Sequence, residues 1–298
     1  MMKEDLNLRV LLIFRDSKRG GKSVESIFDG LYPLLDKQVD LLRYEYLDHK
    51  SLIYNYRRIM ELGANLFHIT SDIYWLSFLL PANKCVITIH DIGHYLGMKG
   101  IRKWIYKRIF ILWPAMRSGA ITTVSHFTYQ TLSQILPKKS MNKIIVIPNP
   151  VPPCIDQSMI TKVPGNKIIL QVGTSPHKNC ETVIQALRGL PYKLHIVGPL
   201  SIEQLALLQS MNIQFIQSQS ATYNEVMEAY RGADAITFIS SFEGFGMPII
   251  EAQATGRPVI TSKNASLPEV AGKGAHYIED IKSIEEVKGA IFKVMEDT

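Results

Sequence analysis

Hydrophobic residues in this chain come in short runs, separated by polar or glycine-bearing turns and alternating with stretches of helical period. Arg9 to Phe14 is a compact apolar run, and a helical pattern follows from Val24 to Leu35. Asn65 to Thr70 and Cys85 to His90 read as two more buried strands, with a helical stretch around Ile73 to Leu80 between them. Gly100 to Arg117 has helical spacing, Ala120 to Val124 is a strand, Ser125 caps a helix to about Leu136, and the apolar run Ile144 to Ile147 follows before Pro148. Brief runs of β-branched residues suit strands covered on both faces. Their alternation with helices predicts a parallel sheet.

The pattern then restarts. Pro148 to Gly165 carries five prolines and mixed polarity, which predicts an interdomain connection. Strands are expected at Lys167 to Val172, Leu194 to Val197, Ile213 to Ile216, Ala235 to Ile239 and from Pro258 to Ile260. Helices are expected to Leu187, over Tyr223 to Tyr230, from Met247-Pro248 to about Gly256, and over Ile284 to Met295. The expected fold class is α/β, with two Rossmann-like α/β/α domains at residues 1–150 and 151–298.

Composition agrees with two ordinary globular domains: 298 residues, 46% hydrophobic and 20% charged. No uncharged apolar run approaches the length of a bilayer span, and Met-Met-Lys-Glu-Asp is too charged for a signal peptide, so a cytoplasmic chain is expected. Cys85, Cys154 and Cys180 are odd in number and unclustered, which predicts neither a disulfide framework nor a zinc site.

The net charge of +6 is uneven. Residues 1–150 hold 21 Lys+Arg against 12 Asp+Glu; residues 151–298 hold 12 against 15. Between Ile92 and Ile155 stand nine basic residues and no acidic one. Residues 92–155 therefore suit an anionic membrane surface or an acidic acceptor; no nucleic-acid motif accompanies them, and no nucleic-acid partner is expected. Within that zone Ile101, Trp104, Ile105, Ile109, Leu112 and Met116 follow helical spacing, interrupted by Arg108. The stripe is expected to pack on the sheet with its charges solvated. The other reading lays this basic, Trp-bearing helix on a bilayer, with the protein peripheral to the membrane.

Candidate chemistry concentrates at residues 234–260. A buried strand runs into Ser240 to Gly246, a polar glycine-bearing loop, and then into a helix opened by Met247-Pro248. A loop feeding a helix N-terminus at a strand's carboxyl end is where open α/β sheets bind ligands, and the free amides there favour an anion such as a diphosphate. Gly244 and Gly246 let the backbone approach it. Glu243 in the loop and Glu251, read as first-turn, cannot serve an anion, and their oxygens suit sugar hydroxyls. Two weaker patterns stand in the first half. Gly20-Gly21-Lys22-Ser23 after a strand mimics a phosphate-binding P-loop, but its first glycine would fall at Asp16. His90 and His94 have a metal-pair spacing, but they sit in a glycine loop with no rigid ligand face.

The stretch Glu-Gly-Phe-Gly-Met-Pro-Ile-Ile-Glu-Ala, from Glu243, resembles the glutamate–seven–glutamate motif of retaining nucleotide-sugar glycosyltransferases of the GT-B class, family 4. Ile121 to Val151 resembles the end of that family's first domain, with Pro150 where glycine is usual, and Ser266-Leu-Pro-Glu-Val resembles its "S-L-P-E-V" segment. The resemblance implies two domains facing each other across a cleft, with a C-terminal crossover helix that is shortened or absent here. It implies transfer of a hexose from a nucleoside-diphosphate sugar to a glycan or lipid-linked acceptor in surface-polysaccharide synthesis, without a metal or other cofactor.

The resemblance assigns catalytic roles to Glu243, His90 and Lys178. It assigns the donor to Gly21, Gly173, Thr174, Lys178, Gly198, Gly244, Phe245, Gly246, Met247 and Glu251. Thr174 stands where an arginine is common, with His177 as a partial substitute when protonated. No nucleophile–base set is visible, and the resemblance implies that the leaving diphosphate takes the acceptor's proton. The alternatives are a non-catalytic sugar-nucleotide binder and a P-loop-like enzyme using Gly20-Gly21-Lys22-Ser23.

Overall fold

The computed structural model describes residues 8–19, 23–152, 155, 165–220 and 222–297. Its contacts divide the chain into two units, Met1–Pro153 and Cys154–Thr298. Most of the connection expected at Pro148 to Gly165 lies outside the described residues.

In the first unit six parallel strands form one sheet: β1 (Arg9–Phe14), β2 (Asp40–Glu45), β3 (Leu66–Ile69), β4 (Cys85–Ile89), β5 (Ala120–Thr123) and β6 (Ile144–Val146), in the order β2-β1-β3-β4-β5-β6. The helices are α1 (Ser23–Leu35), α2 (Leu52–Glu61), α3 (Gly93–Gly97), α4 (Gly100–Tyr106), α5 (Trp113–Arg117), α6 (His126–Ser133) and α7 (Lys138–Met141). Because β1 is buried on both faces, alternate residues feed two cores. Leu11 and Ile13 join Phe67, Ile69, Ile87 and Ile121; Val10, Leu12 and Phe14 meet Phe28 of α1. The chain leaves β1 toward β2 and returns on the other side to β3, so the sheet's switch point lies between β1 and β3. Asp16, Thr70 and His90 follow the carboxyl ends of β1, β3 and β4.

The second unit repeats the plan with β7 (Ile168–Val172), β8 (Lys193–Val197), β9 (Phe215–Ser218), β10 (Ala235–Phe238), β11 (Val259–Ser262) and β12 (His276–Ile278), all parallel, in the order β12-β11-β10-β7-β8-β9. Its helices are α8 (Cys180–Ala186), α9 (Ile202–Ser210), α10 (Tyr223–Gly232), α11 (Met247–Ala254), α12 (Leu267–Ala271) and α13 (Ile284–Glu296). The switch point lies between β7 and β10. Asp234, at the start of β10, fixes the entry to β7 by accepting from the amides of Gly165 (2.6 Å) and Ile168 (2.7 Å). On one face Ile169, Leu194 and Ile196 pack under Val183 and Ile184 of α8 and Val287 and Ile291 of α13. On the other, Leu170, Ile236 and Phe238 pack under Tyr230 of α10 and Ile249 of α11.

The two sheets are those of the GT-B fold, which is the fold class expected from the sequence. Several details differ, among them helices α2 and α9, which the sequence reading did not place. Ile73 to Leu80 forms only a 3-10 turn, Tyr74–Phe78. The strand expected at Ile213 to Ile216 begins at Phe215. The expected helix Gly100 to Arg117 is α4 and α5 joined by a π turn, Lys107–Leu112. The edge strands β2 and β12 have no continuous apolar run to announce them, since one side of an edge strand is not enclosed. Cys85 and Cys180 are free, buried thiols, pushed up to about 11 and about 12 by burial.

Candidate functional site

In the second unit two loops meet at the switch point. The first follows β7. Gly173 has φ 88, and a Cβ there would come within 3.3 Å of the Lys178 side chain, whose stem lies across it. Lys178 ends the 3-10 turn Pro176–Lys178. Its Nζ lies 2.5 Å from Glu243 Oε1 and 4.3 Å from the centre of the Phe238 ring. Both charged side chains are 16% exposed, so the pair is sheltered yet open to a ligand. His177 Nε2 is 3.8 Å from the same Glu243 oxygen.

The loop is held from beneath. Gln171 Nε2 donates to Gly173 O (3.1 Å), while its Oε1 accepts from Thr237 Oγ1 (2.8 Å). Asn179, left-handed at φ 52, donates to Ile239 O (2.8 Å) and accepts from Lys282 Nζ (2.6 Å). Asparagine is among the few residues that take this conformation readily. Thr174 is buried; its hydroxyl donates to Pro199 O and its carbonyl accepts from Gln204 Nε2. Gly198 lies against it, so that a Cβ there would meet Thr174 Oγ1 at 3.4 Å. The Thr174 hydroxyl thus braces the loop of Gly198 and Pro199, and no cation stands in the arginine's place.

The second loop follows β10 and carries Glu243 to Gly246. Buried Ser266 brings its Oγ to Glu243 O (2.9 Å) and Phe245 O (2.8 Å), which fixes the loop's path. Gly246 is the N-cap of α11 with φ 110, and a Cβ there would meet Leu267 Cδ2 at 2.9 Å. Only glycine fits, because both the backbone angle and the space exclude a side chain. Met247 opens the helix and Pro248 is its second residue. Glu251 is therefore the fifth helical residue and belongs to the second turn, one turn later than the sequence reading, because a helix that starts at Met247, as expected, completes its first 3.6-residue turn by Ile250. Its Oε2 accepts from Tyr230 Oη at 2.9 Å. Burial raises the carboxyl above its ordinary value, and the hydroxyls of Tyr230 and Tyr223 oppose that shift.

In the first unit His90 is the group best placed for chemistry. Its Nε2 donates to Thr70 O at 2.8 Å, which leaves Nδ1 as the acceptor. Burial, and less strongly Arg15, pushes its pKa down, so the ring is neutral at pH 7. His94 stands in α3 with its ring edge-on to Tyr106, 5.4 Å between centres. Gly20, Gly21 and Lys22 lie outside the described residues. Asp16, by contrast, is placed. Its two carboxylate oxygens accept from the amides of Lys18 (2.9 Å) and Asp48 (3.0 Å), which hold its pKa below the ordinary value. Its carboxylate thus ties the turn after β1 to the loop after β2.

The sequence of the second unit matches a known family. Residues 156–298 fit the family described as glycosyl transferases group 1. The chain carries a group 1 glycosyl transferase domain. It is 29% identical to the O-antigen chain mannosyltransferase RfbU of Salmonella typhimurium over 222 residues, 69% of this chain and 62% of that protein. It is 30% identical to the serotype-specific mannosyltransferase WbdA of Escherichia coli over 261 residues, 74% of this chain and 31% of that one. The chain thus spans less than two thirds of the length of these curated relatives. Among solved structures, Anabaena Alr3699/HepE in complex with UDP and glucose aligns over 98% of this chain and 90% of its own, with TM-score 0.72 and 15% identity. WaaG, a glycosyltransferase involved in lipopolysaccharide biosynthesis, aligns over 97% and 90%, with TM-score 0.66 and 15% identity. At that identity the likeness establishes the GT-B fold.

Within the group 1 domain, the fold brings Lys178, Gly173, Glu243 and His177 together, and sets Glu251 on the helix that the glycine loop begins. Gln171, Asn179, Tyr230 and Ser266 hold these groups and were missed by sequence reasoning. Ser266 had a signal in its place in the Ser-Leu-Pro-Glu-Val segment, and Asn179 in the Lys-Asn pair that the family carries after the loop at Gly173. Gln171, Asn179 and Tyr230 each also reach a partner distant along the chain, Thr237, Ile239 and Glu251.

Proposed function

We propose that this group 1 glycosyltransferase moves a hexose, with mannose as the first candidate, from a nucleoside-diphosphate sugar to a glycan or lipid-linked acceptor of a surface polysaccharide. The reading rests on one observation: the sheltered Lys178–Glu243 pair at the mouth of the glycine loop and the α11 N-terminus. The mannosyltransferase names of RfbU and WbdA supply the sugar.

In this mechanism the pair exchanges partners. The donor diphosphate takes Lys178 and the amides of Gly244 to Met247, where helix polarity already favours negative charge. Glu243, released from Lys178, turns to the sugar hydroxyls, and Glu251 accepts from the ribose diol. As the bond from the anomeric carbon to the diphosphate oxygen breaks, the acceptor oxygen bonds to the same face of that carbon. The acceptor's proton passes to the departing diphosphate. Charge on the leaving group is stabilised by groups set in place beforehand, which is the main source of rate acceleration open to such a site. His90 of the first unit, neutral and with Nδ1 as its acceptor, is that unit's own candidate for binding a hydroxyl of the acceptor.

The test is release of nucleoside diphosphate by purified protein offered nucleotide sugars and a glycan acceptor. GDP-mannose should raise the thermal midpoint in proportion to RT ln(1 + [L]/Kd) and turn over only with acceptor present. Wild-type rates in both Glu243→Ala and Glu251→Ala would falsify the site. Donor binding without turnover under any acceptor would leave a sugar-nucleotide binder instead.

A further inference from the structure

The helical stretch from Gly100 to Arg117 is turned inside out relative to its sequence pattern. The spacing predicts an apolar stripe packed on the sheet. Instead Ile101 is 69% exposed, Trp104 54% and Met116 53%, with Ile105 and Trp113 also exposed. The side that packs inward is made of Tyr106, Ile111, Leu112, Pro114 and Ala115, so that of the predicted stripe Leu112 still meets the core. The π turn Lys107–Leu112 explains how one outward face persists. The Trp113 amide bonds to Arg108 O, five residues back, so Trp113 stands one full turn above Arg108, where an α-helix would place Leu112. Ile101, Trp104, Ile105, Arg108, Trp113 and Met116 thus share one line. Without the extra residue Trp113 would rotate away from it.

The formal charges within residues 92–155 have one sign; the carboxylates that act on Tyr106, Asp72 and Asp91, come from outside that stretch. Arg108 lies over the Trp104 ring at 4.6 Å, and Lys99 and Arg102 are exposed beside it. No acidic residue occurs from Ile92 to Ile155. A solvent-facing row of Trp, Ile and Met accompanied by Lys99, Arg102 and Arg108 matches an anionic lipid surface, with tryptophan at headgroup depth and cations against phosphate. We propose that α4, the π turn and α5 form a membrane-docking face that lies in the plane of an anionic phospholipid leaflet, with the π turn as the device that aligns Trp104 with Trp113. The inference stands apart from the transfer reaction, since docking is measured without donor or acceptor.

The experiment is flotation of the full chain with phosphatidylcholine vesicles containing or lacking phosphatidylglycerol. Wild-type protein should float with anionic vesicles only, and less at high salt. The double variant Trp104→Ser, Trp113→Ser should lose roughly tenfold or more in partitioning. Arg102→Glu and Arg108→Glu should each lose about fivefold or more. Ile202→Ser, at an exposed isoleucine of the second unit, should change nothing. Brominated phosphatidylglycerol should quench the exposed tryptophans of the wild-type protein, a readout that needs no variant. Equal binding to neutral vesicles, an undiminished double tryptophan variant, or a self-association that the same variant abolishes without any vesicle binding overturns the proposal.

Discussion

Each unit opens with the same local plan: a buried strand at the switch point of a parallel sheet, then a short polar loop, then a helix. The loops differ in what fills them. After β1, Asp16 turns its carboxylate inward and takes the amides of Lys18 and Asp48, so this carboxylate is satisfied from within the chain. After β7, Gly173 leaves room, Lys178 lies across it, and the cation's partner comes from another loop, Glu243 after β10. The Asp16 carboxylate has its partners within the chain. The second arrangement holds two opposite charges that a diphosphate and a sugar can separate. A shared architecture therefore does not imply shared use; the site depends on which side chain occupies the turn.

The strongest way to break this comparison is at the ion pair. Lys178→Ala or Glu243→Ala should lower turnover by about a hundredfold or more, and the double variant should lose less than the product of the two, because the residues act on one another. Steady-state release of nucleoside diphosphate measures both. Should Lys22→Ala bring the same loss while Lys178→Ala brings none, the assignment of the two loops is reversed.

Gly246→Ala comes next. It forces a side chain onto φ 110 and against Leu267, and should cost about 1–3 kcal/mol in urea unfolding as well as donor affinity. Gly272→Ala, with nothing within 4 Å of its added methyl, bears only the strain of φ 56 and should cost less.

Glu251→Gln separates stability from binding. The folded carboxyl has a raised pKa, so the folded state holds its proton more tightly than the unfolded chain. Stability from this group is then present below its unfolded value and declines as pH rises toward the folded value. The amide has no such penalty. The variant should melt higher at neutral pH, show a flatter profile on that side of pH 4.5, and bind donor more weakly. Calorimetry across pH together with donor titration would show it; a lower melting point at pH 7 would contradict the assignment.

The smallest effect is expected in the first loop. Asp16→Asn keeps the size and one acceptor but weakens the bonds to Lys18 and Asp48, and should lower the urea midpoint modestly without altering donor affinity. If nucleotide binding changes instead, this loop is more than a brace.

The sequence by itself determined the two-sheet plan, because strands buried on both faces must be short and apolar, and they announce themselves as β1, β4, β7 and β10. It also determined the glycine loop and its glutamates, since Gly246 and the proline after it are local requirements of a helix start. Tertiary structure alone decided the rest. That Lys178 faces Glu243 depends on two loops 65 residues apart meeting at one switch point. That Tyr230 holds Glu251, and Ser266 the loop carbonyls, depends on α10 and α12 packing on α11's surroundings. Helical spacing showed an apolar stripe at Ile101 to Met116, but periodicity carries no sign: it says that one face is apolar, and only packing decides whether that face meets the sheet or the solvent.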